Sequence, residues 1–130
     1  MTGCFVRLAL GSAVVLLAFA ASAIAAGDNF CRFPPLTYCD GCVLDRAIVV
    51  HPGSTCVFTS YIGNGAFVGH DFITKPAKGH FGAANRSTVA YQAPAAAGDD
   101  YFEYAINWNV AVTKQRVVIR NRVTIDPGAQ

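Results

Sequence analysis

Gly98-Asp99-Asp100-Tyr101-Phe102-Glu103-Tyr104-Ala105-Ile106-Asn107-Trp108 opens on a turn and runs into the most regular alternation in the chain. Successive side chains of an extended strand take opposite faces, so Phe102, Tyr104, Ile106 and Trp108 share one side while Tyr101, Glu103, Ala105 and Asn107 share the other. A segment written this way keeps one face in a core and one in water. Its expected partner is the last apolar stretch, residues 116–125. There Val117, Ile119, Val123 and Ile125 form one face, interrupted by Asn121, and Arg116, Val118, Arg120, Arg122 and Thr124 form the other. A turn centred between Ala111 and Val112 sets Tyr104 beside Ile119, Ile106 beside Val117 and Glu103 opposite Arg120.

Working back from that ribbon, residues 47–50, 55–60, 66–74, 80–83 and 88–91 read as further short strands, with a bend expected at Gly69. Turn residues separate them: His51-Pro52-Gly53-Ser54, Gly63-Asn64-Gly65, Lys75-Pro76-Ala77-Lys78-Gly79 and Asn85-Arg86-Ser87. The third and fourth of these strands are expected to form a hairpin, with Pro76 pre-setting its φ and Gly79 taking a positive one. Beyond residue 26 there are only two leucines, one glutamate and no methionine, whereas Val, Ile, Thr, Phe and Tyr are plentiful. Helices draw on the first group and strands on the second. The fold class is therefore all-β. About seven short strands in roughly 100 residues is the pattern of an immunoglobulin-like β-sandwich, with a small open barrel as the alternative.

The amino-terminal stretch belongs to a different class of sequence. Arg7 precedes a long apolar run that ends in Ala20-Ala21-Ser22-Ala23-Ile24-Ala25-Ala26, the order of a secretory signal peptide with cleavage expected after Ala25. Kept uncleaved, the run would just reach across a bilayer, which is the only membrane association the sequence offers. The expected organisation is a signal peptide over residues 1–25, an irregular lead-in over 26–46 and a sandwich over 47–126. Export would leave the chain secreted or periplasmic. Of ten Lys and Arg, Arg7 lies in the leader, so nine face eight Asp and Glu. So even a balance argues against a nucleic-acid binder, which needs a basic excess.

Cys31, Cys39, Cys42 and Cys56 follow the leader, and four cysteines in a short exported chain read as two disulfides with three possible connectivities. Cys39-Asp40-Gly41-Cys42 also fits a redox couple or half of a zinc site, but no βαβ pattern surrounds it and no second tight pair follows. Pro34-Pro35 resists regular structure, so order in the lead-in must come from cross-links, with Cys56 the expected tie to the first strands.

Three segments together resemble the bacterial immunoglobulin-like, cadherin-like repeats of secreted surface proteins. They are Lys75-Pro76-Ala77-Lys78-Gly79-His80-Phe81, Val89-Ala90-Tyr91-Gln92-Ala93-Pro94 and Gly98-Asp99-Asp100-Tyr101-Phe102-Glu103-Tyr104. Gly98, Asp100, Phe102 and Tyr104 match the family's G-x-D-x-F-x-Y pattern. The resemblance covers residues 47–125 in a single copy and departs from the family in the Tyr91 to Pro94 spacing, the cysteine-rich lead-in and the last hairpin turn. It implies a sandwich with an interaction or spacer role and no catalytic residue.

Catalytic patterns are missing from the sequence: no nucleophile elbow, no H-E-x-x-H and no P-loop. His51, His70 and His80 lack ligand spacing on one element, so neither a metal nor another cofactor is implied. Asp99, Asp100 and Glu103 would suit calcium except that Asp100 points inward and its neighbours outward. Lys114, Arg116, Arg120 and Arg122 share one face and, with Tyr101, form the candidate ligand surface for a carbohydrate or anionic polymer; the bland alternative is a solvated face partly paired with Glu103. The first expectation is a non-catalytic exported interaction, adhesion or envelope module whose partner is a protein or surface glycan.

Overall fold

A computed structural model describes residues 29–129, so the proposed signal peptide lies outside the described residues. No helix occurs among them, and eight strands form two facing sheets. The strands are β1 (Cys31–Arg32), β2 (Val43–Val50), β3 (Thr55–Thr59), β4 (Ala66–Thr74), β5 (His80–Ala83), β6 (Thr88–Gln92), β7 (Gly98–Val110) and β8 (Thr113–Ile125). One sheet runs β1-β2-β8-β7-β4 and the other β3-β6-β5. The protein is a β-sandwich.

The β7–β8 ribbon is the centre of the larger sheet. Tyr104 pairs with Ile119, Ile106 with Val117 and Glu103 with Arg120, as the alternation predicts, and Val110 pairs with Thr113 across the Ala111-Val112 turn. Both inner faces are buried: Phe102, Tyr104, Ile106 and Trp108 on β7, and Val117, Ile119, Val123 and Ile125 on β8. Facing them from the smaller sheet are Phe58, Val89 and Tyr91. The Phe102 ring lies 4.3 Å from Phe81 and stacks at 5.1 Å on Tyr91, at the centre of an aromatic cluster.

Three local expectations change. The first long strand begins at Val43 rather than at Ala47, because β2 lies parallel to β8 over its whole length, from Val43 beside Val118 to Val50 beside Ile125. The segment read as a lead-in therefore ends in sheet, and it also contributes β1, which pairs with β2. The Pro76 turn is not a hairpin: β4 and β5 belong to different sheets, so this loop carries the chain across the sandwich. Gly79 is not among the residues of positive φ. It is needed for space, since a Cβ there would sit 2.5 Å from the Gln92 carbonyl oxygen and 2.6 Å from the Tyr91 hydroxyl. The bend near Gly69 is present as a break in the β4–β7 register between Phe67 and Gly69.

Disulfides join Cys31 to Cys56 and Cys39 to Cys42. The first links β1 in one sheet to β3 in the other. The second closes a turn seated on β8, where Gly41 N donates to the Arg116 carbonyl at 2.8 Å and Arg116 N donates to Asp40 Oδ1 at 2.9 Å. Two disulfides fit an oxidising compartment.

Candidate functional site

The residues singled out by sequence fall into two groups with different fates. Gly98, Asp100, Phe102 and Tyr104 build the core end of β7. Gly98 has φ 149°, a conformation open to glycine, and so permits the entry turn. Asp100 then points inward and collects donors from Ala77 N (3.0 Å), Gly79 N (2.8 Å), Tyr91 Oη (2.8 Å) and Tyr101 N (3.0 Å), with a longer one from Lys78 N (3.4 Å). Its carboxylate thus holds the crossing loop between the two sheets. Burial alone would raise its pKa, but the hydrogen bonds outweigh burial and hold it below the ordinary carboxylate value. The same burial, with the Asp100 charge, pushes the Tyr91 phenol far above its usual range. A carboxylate so fully engaged has no lone pair left for calcium.

Tyr101, Arg116, Arg120 and Arg122 do share the outer face of the larger sheet, but most of that face is already paired. Arg120 forks onto Asp45 with two 3.0 Å bonds, not onto Glu103. Glu103 instead accepts from Thr74 Oγ1 at 2.6 Å and Tyr101 Oη at 2.9 Å. Arg116 is in an ion pair with Asp71 and also donates to Asn107 Oδ1 at 3.1 Å. Hydrogen bonds from these arginines lower the pKa values of Asp45 and Asp71. The cross-strand register put Glu103 opposite Arg120 correctly, yet the parallel neighbour β2 supplies a better-placed carboxylate. Among the described residues no group of three or more His, Cys, Asp or Glu side chains is placed to hold a metal.

The arrangement that sequence reasoning missed is on the inner face of β2. Arg46 is only 5% exposed, and the residue beside it on β8 is Asn121, at 0%. Asn121, the polar interruption of an otherwise apolar face, accepts from Arg46 Nε at 2.8 Å, and Tyr104 Oη accepts from Arg46 Nη2 at 3.0 Å. The guanidinium carbon lies 4.0 Å from the Phe58 ring centre and 5.3 Å from that of Phe33, so aromatic faces offset part of its lost hydration. No carboxylate pairs with it among the described residues. The parity Leu44, Arg46, Ile48, Val50 was the available signal: one arginine on an inward series, facing one asparagine on another.

Arg46 forms part of the floor of a cavity of about 500 Å³. The lead-in supplies Pro34, Pro35 and Tyr38, the loop after β3 supplies Tyr61, and β7 supplies Trp108. The Cys31–Cys56 disulfide fixes one end of that lead-in against β3, which is why an irregular segment can wall a cavity at all. Tyr38 packs 6.5 Å from Trp108, and burial raises its phenol pKa against the opposing influence of the Arg46 charge, so it remains a neutral donor. Behind it, Ser60 Oγ and His70 Nε2 are 3.0 Å apart.

The chain matches no protein-family model, no curated protein and no solved structure.

Proposed function

We propose that the chain is a non-catalytic, exported β-sandwich that works by docking, an interaction or adhesion module of the cell exterior or envelope. The observation that carries this reading is the cavity with Arg46 in its floor, a concave aromatic site of ligand-binding size beside a rigid sheet. Two disulfides support the extracellular or periplasmic setting. Strand order supports an immunoglobulin-like assignment: β3-β6-β5 against β8-β7-β4 corresponds to the B-E-D and G-F-C sheets of that fold. The G-x-D-x-F-x-Y match at Gly98, Asp100, Phe102 and Tyr104 supports a cadherin-like repeat. Each motif residue has a structural task, and none of these tasks is catalytic.

A photo-crosslinking residue at Tyr61, 82% exposed on the cavity rim, is expected to capture an envelope component that excess unlabelled protein displaces. The same label at Val112, 98% exposed on the β7–β8 turn, serves as control. Equal capture at both positions would count against the cavity as the docking site.

The second reading, a surface glycan or anionic polymer on the outer face, is favoured by one observation: Arg122 makes no ion pair among the described residues and stands opposite Tyr101. Salt-sensitive retention on heparin that Arg122→Ala abolishes would promote it over the cavity.

A further inference from the structure

Arg46 has three nitrogens to satisfy, and the fold satisfies two. Nε donates to Asn121 and Nη2 to Tyr104, while no acceptor reaches Nη1 among the described residues. No fully buried side-chain nitrogen or oxygen lacks a partner among the described residues, so Nη1 is not fully enclosed, and the open space that Arg46 lines is this cavity. A guanidinium keeps its charge in proteins, and a buried charge without a counter-ion is costly. The positive end of this side chain is thus presented, desolvated and held from behind, at the bottom of a cavity whose sides are proline and aromatic rings.

We propose that this cavity binds a small carboxylic acid with a flat apolar body, the carboxylate accepting from Arg46 Nη1 and the body lying between the prolines and Trp108. The inference rests on the reading of the cavity as the docking site and names its ligand chemistry. Three features select that chemistry. The charged Nη1 suits an anionic oxygen, and a charge-assisted bond in a low-dielectric site is about twice as strong as a neutral one. The walls suit a ring, because Pro34, Pro35 and Tyr61 offer apolar faces and no second charge. The Tyr38 phenol, kept protonated by burial, is a further O–H donor on the same side. A neutral ligand of the same shape would leave Arg46 uncompensated, and a dianion would exceed the single charge available.

The test uses 3-phenylpropionate and its neutral amide, titrated into the protein and followed by the fluorescence of Trp108, the chain's single tryptophan. The acid is expected to bind about tenfold or more tightly than the amide, the difference made by a hydrogen bond to a charged group. Arg46→Met should erase that preference, and Arg46→Lys, which keeps a cation at the position, should retain part of it. Tyr61→Ala, at an exposed rim position, keeps the fold and weakens acid and amide alike. Equal affinity of acid and amide, or a preference that survives Arg46→Met in a folded protein, would overturn the carboxylate and leave the cavity as a docking site. No saturable response to either compound, with capture at Tyr61 also absent, would remove both.

Discussion

Asp100 and Arg46 are buried charges of opposite sign on β7 and β2, two strands of one sheet separated by β8, and neither has an ionic partner among the described residues. They are solved differently. Asp100 is enclosed by backbone amides and a phenol until its oxygens are saturated, and the loop that supplies them is thereby pinned across the sheets. Arg46 is held by two acceptors and by rings, with one nitrogen left facing a cavity. A closed charge of the first kind is a fastener. An open one of the second kind costs the fold something and returns nothing structural for its last donor, which is the arrangement expected of a binding group.

Phe102 is the residue through which both are mounted. Its ring stacks on Tyr91, the Asp100 donor, and its carbonyl accepts from Asn121 Nδ2 at 3.3 Å, which orients the Arg46 acceptor. Phe102→Ala is expected to cost about 3–5 kcal/mol, measured by urea unfolding, because a fully buried ring leaves a void that the stacked neighbours cannot fill. That approaches the whole stability of a domain this size. A loss under 1 kcal/mol would show that the two clusters are not held through one ring.

Next in size is the Cys31–Cys56 cross-link, which closes a segment of sequence separation 25. Replacing both cysteines by serine should lower stability by about 3 kcal/mol through the freedom returned to the unfolded chain. Because the same bond anchors the lead-in that walls the cavity, acid binding at Arg46 should weaken while the Asp100 loop stays protected in hydrogen exchange. Loss of protection at both would mean that the two regions open as one unit.

Exchanging each charge directly sharpens the contrast. Asp100→Ala strands the amides of Ala77 and Gly79 and the Tyr91 hydroxyl, and is expected to cost about 2–3 kcal/mol. Arg46→Met removes a buried cation along with its bonds, and the two effects nearly cancel, leaving a change within about 1 kcal/mol. Thermal unfolding of the pair reads the difference, and equal losses would make Arg46 a fastener too.

The ribbon of β7 and β8 was legible down to its register because two features agreed: strict alternation on both strands and a turn short enough to fix the pairing. Arg46 was not. Its strand is written Val43-Leu44-Asp45-Arg46, which carries no apolar run, and it is extended there only because β8 offers a parallel edge far away in sequence. Asn121 was visible as an interruption, but its meaning needed the neighbour. The Pro76 loop was misread for a related reason, since a proline–glycine turn has one local signature whether the chain returns in the same sheet or crosses to the other. The cavity was beyond reach altogether, because its wall is a segment placed by a disulfide whose partner sequence leaves open.

Acid separates two further groups. His70 packs against Phe67 and Tyr104, and its burial lowers its pKa below the ordinary 6.5 despite the Asp71 charge that raises it. A base depressed in the folded state contributes stability that is complete above the unfolded pKa and drains away as pH falls from there through the folded one. Asp100, also depressed, contributes stability that is complete above its unfolded value of 3.8 and is lost as pH falls through its lower folded value. The urea midpoint should therefore drop in two stages, a shallow one starting near pH 6.5 and a steeper one below pH 3.8. His70→Gln should remove the first alone, and a single-stage decline in the parent protein would count against the separation.

The smallest effect is expected at Ala111, which turns the β7–β8 ribbon with φ 54° although it has a side chain. The left-handed region costs a residue with a Cβ about 1 kcal/mol, and glycine adopts it freely but brings more freedom to the unfolded chain. Ala111→Gly should consequently stabilise the protein by about 0.5 kcal/mol, read as a small rise in the urea midpoint. Ala111 belongs neither to the Asp100 loop nor to the cavity lining, so the gain should come with no change in acid preference and no change in either pH stage. A variant that raises stability and alters ligand preference together would mean that the Arg46 cavity answers to the stability of the whole sandwich rather than to the groups that line it, and the distinction between a closed and an open buried charge would lose its functional content.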